Sequence, residues 1–412
     1  MKKRTGFEKL GRAAFLAALF MLASSPALAS ETKGNLSIED YYLKDSSADG
    51  YQHLFTTRLK LDMTKLDKSG LWAMHFDGRE RLNLGTYESS SEDARIDVLN
   101  FDYSGKKLYI AFGRVWPKEL STERVDGVNA VYQWEKFGVG SFFGLRPDPY
   151  SEMFTLDFVS GGAYAYYKSD SLSSNAAFTH TMYKGAIDRQ YLYSQTTYVK
   201  DKISLLGLIT ADINQRTKAL ALTNGLLEVS VKDAKKGVSV GYNQFKSVQL
   251  YASTDEEVDP GSERSYYLAG NYRLKDKYNL FARIEKQNRD YTSVEDDYKD
   301  GMVYKTGVNI DSILRTGVNL NLGTSLSDGF GATHNSYDIE ISRVFREVFQ
   351  LVMNGSYNMS RYTTSDTTRI WTYGLSGYLY MSKKWTFSLS YNGESAEDYT
   401  TNSLLTRLTL KF

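Results

Sequence analysis

Two short runs place charge at every second position. Arg58, Lys60 and Asp62 alternate with Leu59 and Leu61, and His75, Asp77, Arg79 and Arg81 alternate with Phe76, Gly78 and Glu80. Glu39, Asp97 and Asp102 add charges of the same kind in neighbouring segments. Charges of both signs on one face can pair with each other and fill space, or they can set up a field along a polar wall; both readings suit the pattern. Nothing here is arranged for bond chemistry. The chain has no cysteine, which excludes disulfides, thiolate zinc sites, Cys nucleophiles and covalent haem attachment in this chain. Its histidines, His53, His75, His180 and His334, are scattered, with no paired metal spacing and no accompanying nucleophile motif. The acidic runs Asp255-Glu256-Glu257 and Glu295-Asp296-Asp297 lack the spacing of a calcium loop and read as solvated charge. No catalytic residue, cofactor or metal site is expected, and the chain does not read as an enzyme.

The elements that must position these charges follow from composition and period. With 50 basic and 49 acidic side chains in 412 residues the net charge is +1, which offers no electrostatic footprint for nucleic acid. Thirty-two Tyr and 20 Phe against only 5 Pro describe a strand-rich chain. Residues 1–29 read as a secretory signal. Lys2, Lys3, Arg4, Lys9 and Arg12 precede an apolar run from Ala13 to Ala23, and Ala27-Leu28-Ala29 supplies a small-x-small cleavage site. The run is too short to span a bilayer. Residues 30–412 are then the mature part, and no stretch in it is apolar enough for a membrane helix.

That part alternates apolar and polar residues in segment after segment. Trp385, Phe387, Leu389 and Tyr391 share one face of a period-two run, as do Phe349, Leu351, Met353 and Tyr357, and Trp371, Tyr373 and Leu375. A soluble sandwich shows the same period, so the connections must discriminate. Ten short turns rich in Lys, Asp, Gly and Ser recur at hairpin scale, from Lys65–Gly70 to Ser382–Lys384. Between them lie longer, more acidic segments such as Ser89–Asp93, Thr254–Pro260, Val294–Asp300, Ser360–Thr367 and Gly393–Thr400. Short turns at one end and long loops at the other are the asymmetry of a membrane barrel. The predicted fold is all-β: a transmembrane antiparallel up-and-down barrel of about 22 strands (18–22) with no plug domain and both termini at the short-turn, periplasmic end. Trp72, Trp134, Trp371 and Trp385 fall near strand ends, where an interfacial aromatic girdle belongs.

The last segment adds a resemblance. Leu404, Thr406, Leu408, Leu410 and the final Phe412 share one face. This resembles the C-terminal strand of Gram-negative outer-membrane barrels, in which Leu408, Leu410 and Phe412 would form the signal read by the barrel assembly machinery. A second resemblance lies in Leu108-Tyr109-Ile110-Ala111-Phe112-Gly113-Arg114, a loop, then Arg124-Val125-Asp126-Gly127-Val128. It is similar to a strand–loop–strand pattern of large porin-like barrels, including the alginate-export type, although Val115 stands where Gln usually follows Gly-Arg. The resemblance implies that the intervening loop carries pore-facing residues. Arg114, Asp126, Arg146 and Asp148 are accordingly the constriction candidates. Arg146 and Asp148 open a long, Pro-stiffened segment whose Met153, Phe154, Leu156 and Phe158 are too apolar for full solvation, unless they begin the next strand.

In such a barrel Glu39, Arg58, Lys60, Asp62, His75, Asp77, Arg79, Arg81, Asp97 and Asp102 are the expected lumen-lining charges. Three functions compare. The first is a porin-like channel in the cell outer membrane, passing solutes or exporting a polymer through a mixed-charge lumen. The alternative is a sleeve housing a multihaem cytochrome in a trans-membrane electron conduit, as in porin–cytochrome complexes; the partner would carry every haem. A barrel enzyme is the third, and it lacks a His-centred motif. Outer-membrane lipid and the assembly machinery are the expected partners in every case, with a lumen-filling protein added in the sleeve.

Overall fold

A computed structural model describes residues 31–412 apart from 88–93, 121–122, 150–151, 214, 216–217, 249, 254–260, 292–298, 314–315 and 364–365. The signal segment 1–29, the loops Ser89–Asp93 and Thr254–Pro260, and both acidic runs lie outside the described residues.

Twenty-two strands follow one another along the chain. They are β1 (Glu31–Asp45), β2 (Tyr51–Thr64), β3 (Trp72–Asn83), β4 (Ala94–Ser104), β5 (Leu108–Val115), β6 (Val125–Gln133) and β7 (Phe137–Leu145). Next come β8 (Phe158–Lys168), β9 (Leu172–Tyr183), β10 (Ala186–Lys200), β11 (Ile203–Ile213), β12 (Leu220–Lys232), β13 (Lys236–Lys246), β14 (Ser262–Leu274) and β15 (Tyr278–Asp290). The last are β16 (Asp300–Ile313), β17 (Val318–Gly329), β18 (Ala332–Phe345), β19 (Phe349–Tyr362), β20 (Thr368–Tyr380), β21 (Trp385–Ser395) and β22 (Thr400–Lys411).

Each strand pairs antiparallel with its neighbours in sequence, and β22 returns to β1 through Leu36↔Leu410, Ile38↔Leu408 and Glu39↔Arg407. The sheet is therefore closed. Closure satisfies every ladder without an edge, the condition for a β structure in hydrocarbon. Gly34 seals the seam, its N–H donating to the Phe412 carbonyl at 2.9 Å and its carbonyl accepting from the Phe412 N–H at 3.1 Å. Among the described residues no helix is long and apolar enough to cross a membrane, which says nothing of a strand-built barrel.

The alternation decides which face is which. Phe143, Val240, Leu268, Met353, Leu375 and Leu389 are exposed and apolar on the outer wall. The polar partners in each run point inward. The ten short connections predicted at one end are all there, together with both chain ends. Trp72 tilts onto Tyr103 at 5.4 Å, and Trp134 lies between Tyr132 and Phe137 at that end. Trp371 stacks with Tyr357 at the other. In the last strand Leu404, Leu408 and Leu410 face outward. Replacing Leu408, which lies deeper in the band than Leu410 and its interfacial partner Trp385, with Arg should therefore destabilise the barrel by up to roughly 2–4 kcal/mol. The expected result is loss of the heat-modifiable folded band on a gel; a normal folded band would overturn the face assignment.

Two connections at the loop end depart from the expected long loops. Lys184-Gly185 and Phe330-Gly331 are two-residue turns with positive φ at both positions, the geometry of tight hairpins. The segments read as Ser360–Thr367 and Gly393–Thr400 are also partly strand, since β19 runs to Tyr362 and β21 to Ser395.

Candidate functional site: a constriction on an arginine-bearing wall

The wall formed by β5, β6 and β7 is the shortest in the barrel, at 8, 9 and 9 residues, and the two loops that fold inward spring from it. A row of glycines marks their base. Gly113, Gly127 and Gly144 pair with one another across β5–β6–β7. A Cβ on Gly127 would lie 2.1 Å from the Phe143 carbonyl oxygen, and Gly113 has φ +112°, a conformation L side chains rarely adopt. The backbones approach too closely for side chains at this level.

Residues 116–120 and 123–124 lie in the lumen and pack on its inner surface. Leu120, 1% exposed, sits in a cluster with Val115, Val125, Phe142, Tyr164 and Tyr193. Gly138 and Gly140 make room for the rings: their Cβ atoms would strike Tyr166 and Tyr164. The loop's second anchor is polar. Glu123 is 2% exposed, and its carboxylate accepts from the Tyr191 hydroxyl and from Ser160 Oγ at 3.4 Å. Beside it the Arg189 guanidinium lies 4.4 Å from the Tyr191 ring and grips Asp212 at 2.6 and 3.2 Å, with Thr223 completing the Asp212 shell. Burial also lifts the Glu119 carboxyl above its ordinary range, opposed by Lys118 and Lys168.

The second loop, 146–157, is held by its own backbone: Asp148 N–H donates to the Met153 carbonyl at 2.9 Å and Glu152 N–H to the Asp148 carbonyl at 2.7 Å. Of the two readings of its apolar residues, Phe158 follows the one in which the next strand begins there. Phe154 and Leu156 stay exposed, while Phe158 belongs to β8 and packs on Tyr183 at 4.7 Å. What ties this loop to the wall is charge. The Glu152 carboxylate meets Arg95 and, at 3.2 Å, Arg124.

Facing the loops, three arginines stand side by side on three strands, in the registers Arg58↔Arg79 and Arg79↔Arg95. Arg58 pairs with Asp77 at 2.7 Å and Asp97 at 3.5 Å, Lys60 with Asp77 at 3.1 Å, and Arg95 with Asp97. Arg79, between them, has no acidic partner among the described residues, and its Nε is buried without a hydrogen bond. Together these groups and the loops line a cavity of about 560 Å³. It is bordered by five guanidinium groups (Arg58, Arg79, Arg95, Arg124, Arg146) against four carboxylates (Asp77, Asp97, Asp148, Glu152).

The ten expected lumenal charges all lie on the inner face of β1 to β4. Glu39 pairs with Arg407 at 2.9 Å. His75 bridges Asp62 at 2.6 Å and Asp102 at 2.9 Å. Arg81 approaches Thr56 at 3.4 Å. Asp97 and Asp102 are five residues apart, so a regular strand would turn them to opposite faces; a bulge between Asp77 and Gly78 in the β3–β4 ladder brings both inward. Of the four constriction candidates, Arg146 and Asp148 border the cavity. Arg114 and Asp126 instead sit at strand ends and spend their charges on each other, in a bidentate pair at 2.6 and 2.7 Å. Arg95, Arg124, Glu123, Glu152 and the Arg189–Asp212 pair were not among the expected residues. The inner face of β19 to β21 carries hydroxyl pairs, such as Ser356–Thr372 at 2.7 Å and Ser376–Ser390 at 2.9 Å, while β15 brings the Arg283–Glu285 ion pair at 2.6 Å. His180 and His334 meet Gln190 and Ser360, with no carboxylate in contact.

No protein-family model matches the chain, and no curated protein matches it in sequence. Solved structures do resemble it in fold. OccK11 (OpdR) of Pseudomonas aeruginosa is 12% identical, with 93% of this chain and 97% of that one covered and a TM-score of 0.47. A BenF-like porin from Pseudomonas fluorescens is 10% identical over 94% and 100% of the two chains, with a TM-score of 0.49. OccK2 (OpdF) of P. aeruginosa, solved in complex with glucuronate, is 9% identical over 93% and 98%, with a TM-score of 0.48.

Proposed function

We propose that the chain is an outer-membrane channel that passes small anionic solutes by passive diffusion. The observation that carries this reading is the row Arg58–Arg79–Arg95 facing two inward loops that bring Arg124 and Arg146, with Arg79 and Arg146 lacking an acidic partner among the described residues. A carboxylate or phosphate reaching the constriction meets guanidinium forks that are charged at every working pH and shaped to hold it in two hydrogen bonds. The neighbouring carboxylates keep the site from binding such an anion too tightly for release, which conduction requires.

The apolar outer face and its aromatic ends suit a bilayer, and the position of Glu31 and Phe412 at the short-turn end supports a periplasmic setting for that end. A cytochrome sleeve calls for a bare inner wall, and polymer export for an unobstructed bore. The loops 116–124 and 146–157, folded onto one side of the lumen, weigh for small solutes over both.

The test is a planar bilayer holding the purified protein across a KCl gradient. The reversal potential should report chloride preferred over potassium, and acetate or benzoate on one side should carry current. A potassium-selective pore would sink the anionic reading, and an inert protein would sink the channel.

A further inference from the structure

The outer wall carries a feature that a uniform lipid-facing band does not need. Across β12 to β16 the surface is recessed into an apolar groove of about 450 Å³, floored by Leu227, Val240, Leu268, Ile284 and Met302. Tyr242 and Tyr266 form one rim, with ring centroids 5.0 Å apart. Its volume falls in the range of about 300–1,000 Å³ typical of small-molecule sites.

Basic residues stand over the loop end of this groove. Lys286 lies opposite Tyr266 on the outer face and borders the groove; Arg264 is diagonal to it, and Lys246 is diagonal to Arg264 through Gln244. Same-face diagonal neighbours on a sheet are about 7–8 Å apart, within reach of one phosphate-bearing headgroup. None of the three has an ion-pair partner among the described residues. The acids nearby on the same face are engaged elsewhere: Asp290 faces Lys299 at 3.9 Å, and Asp300 accepts from Asn288 at 3.1 Å.

We infer that this groove is a seat for one anionic lipid, its acyl chain on the apolar floor and its phosphate on Lys246, Arg264 and Lys286. The inference rests on the outer-membrane reading, because with the loop end outside the lipid belongs to the outer leaflet. The occupant is then a multi-acylated glycolipid bearing phosphomonoesters. Three cations that form no ion pair among the described residues complement such a headgroup, whereas a zwitterionic lipid would leave them uncompensated.

Folded protein in maltoside detergent is titrated with bisphosphorylated lipid A and, separately, with phosphatidylcholine, and bound lipid is counted by native mass spectrometry. One lipid A per chain should survive detergent competition that removes phosphatidylcholine. The triple variant Lys246→Gln, Arg264→Gln, Lys286→Gln should bind lipid A about tenfold more weakly or worse. Val240→Trp, which fills the groove without touching charge, should also weaken it and covers a triple variant that fails to fold. Equal retention of the two lipids, or binding unmoved by either change, overturns the proposal. So does displacement by inorganic phosphate alone, which would make the basic row a free-anion site. Channel conductance of the same samples separates the two readings: lipid bound by a protein that opens no pore leaves the seat standing and the channel refuted.

Discussion

Glu123→Ala should convert a steady single-channel current into one that jumps to a larger conductance level. The described part of the loop is held on the inner wall by buried Glu123, Leu120 and Pro117 and by the Asn175 side chain, which donates to the Glu119 carbonyl at 2.8 Å. Losing the carboxylate takes an acceptor from the Tyr191 hydroxyl and from Ser160, which keeps Thr181 at 3.2 Å, and a buried hydroxyl left short of its partner costs about 1–3 kcal/mol. The Leu120 anchor is worth about 1.5–3 kcal/mol by burial, so the single variant should weaken the loop without releasing it fully. Adding Leu120→Ala removes a second anchor and leaves the Asn175–Glu119 hydrogen bond and the Arg124–Glu152 pair, so the larger level, up to roughly twice the native conductance, should be visited more often still. Glu123→Gln keeps an acceptor for Tyr191 and should resemble the native channel. The measurement is single-channel recording on barrels first shown to be folded by heat-modifiable migration. A native-like trace from the folded double variant would mean that the loop does not limit the current.

The fold was legible because a barrel wall writes its two solvents directly into the chain. Lipid outside and water inside impose a period of two, and runs such as Trp385 to Tyr391 can be read without any knowledge of pairing. The ten turns at one end were legible for a similar reason, being short and polar. The tight turns Lys184-Gly185 and Phe330-Gly331 were not, because Lys and Phe in left-handed conformations carry none of the Asn-Gly signal that marks such hairpins. The site was half legible. Charges on β1 to β3 could be given a common face by parity alone, and the two loops were singled out from a Gly-Arg motif and a pair of prolines. What brings the site together is contact between segments distant in sequence. Glu123 finds Tyr191, 68 residues on, and Glu152 finds Arg95 and Arg124. No period predicts these pairs. The β3–β4 bulge that turns both Asp97 and Asp102 inward is equally invisible, since it is a mismatch between two strands and belongs to neither.

Those same contacts rank the arginines, and the ranking is testable. Neutralising Arg58, Lys60, Arg79 and Arg81 together should push selectivity toward cations, yet the four are not equivalent. Lys60→Gln leaves Asp77 still matched by Arg58. Arg79→Gln removes a charge that stands in no ion pair among the described residues. At about 0.1 M salt the screening length is near 10 Å, so the local balance around the constriction governs the ions passing it, more than the net charge of the barrel. A unit charge about 4 Å from a passing ion is worth about 1 kcal/mol even in water, which changes local ion concentration about fivefold. Arg79→Gln should therefore lower the chloride-to-potassium permeability ratio severalfold, with Arg146→Gln deepening the effect and Lys60→Gln doing little. Lys305→Gln, on the inner face of β16, is the control for charge remote from the cavity. Because guanidinium groups do not titrate in the accessible range, the native preference for chloride should hold from about pH 5 to 9. Reversal potentials for the four variants decide the matter. If Lys305→Gln shifts selectivity as far as Arg79→Gln, the lumen is averaging its charge over the whole wall, and the arginine row is a structural girdle with no part in choosing the solute.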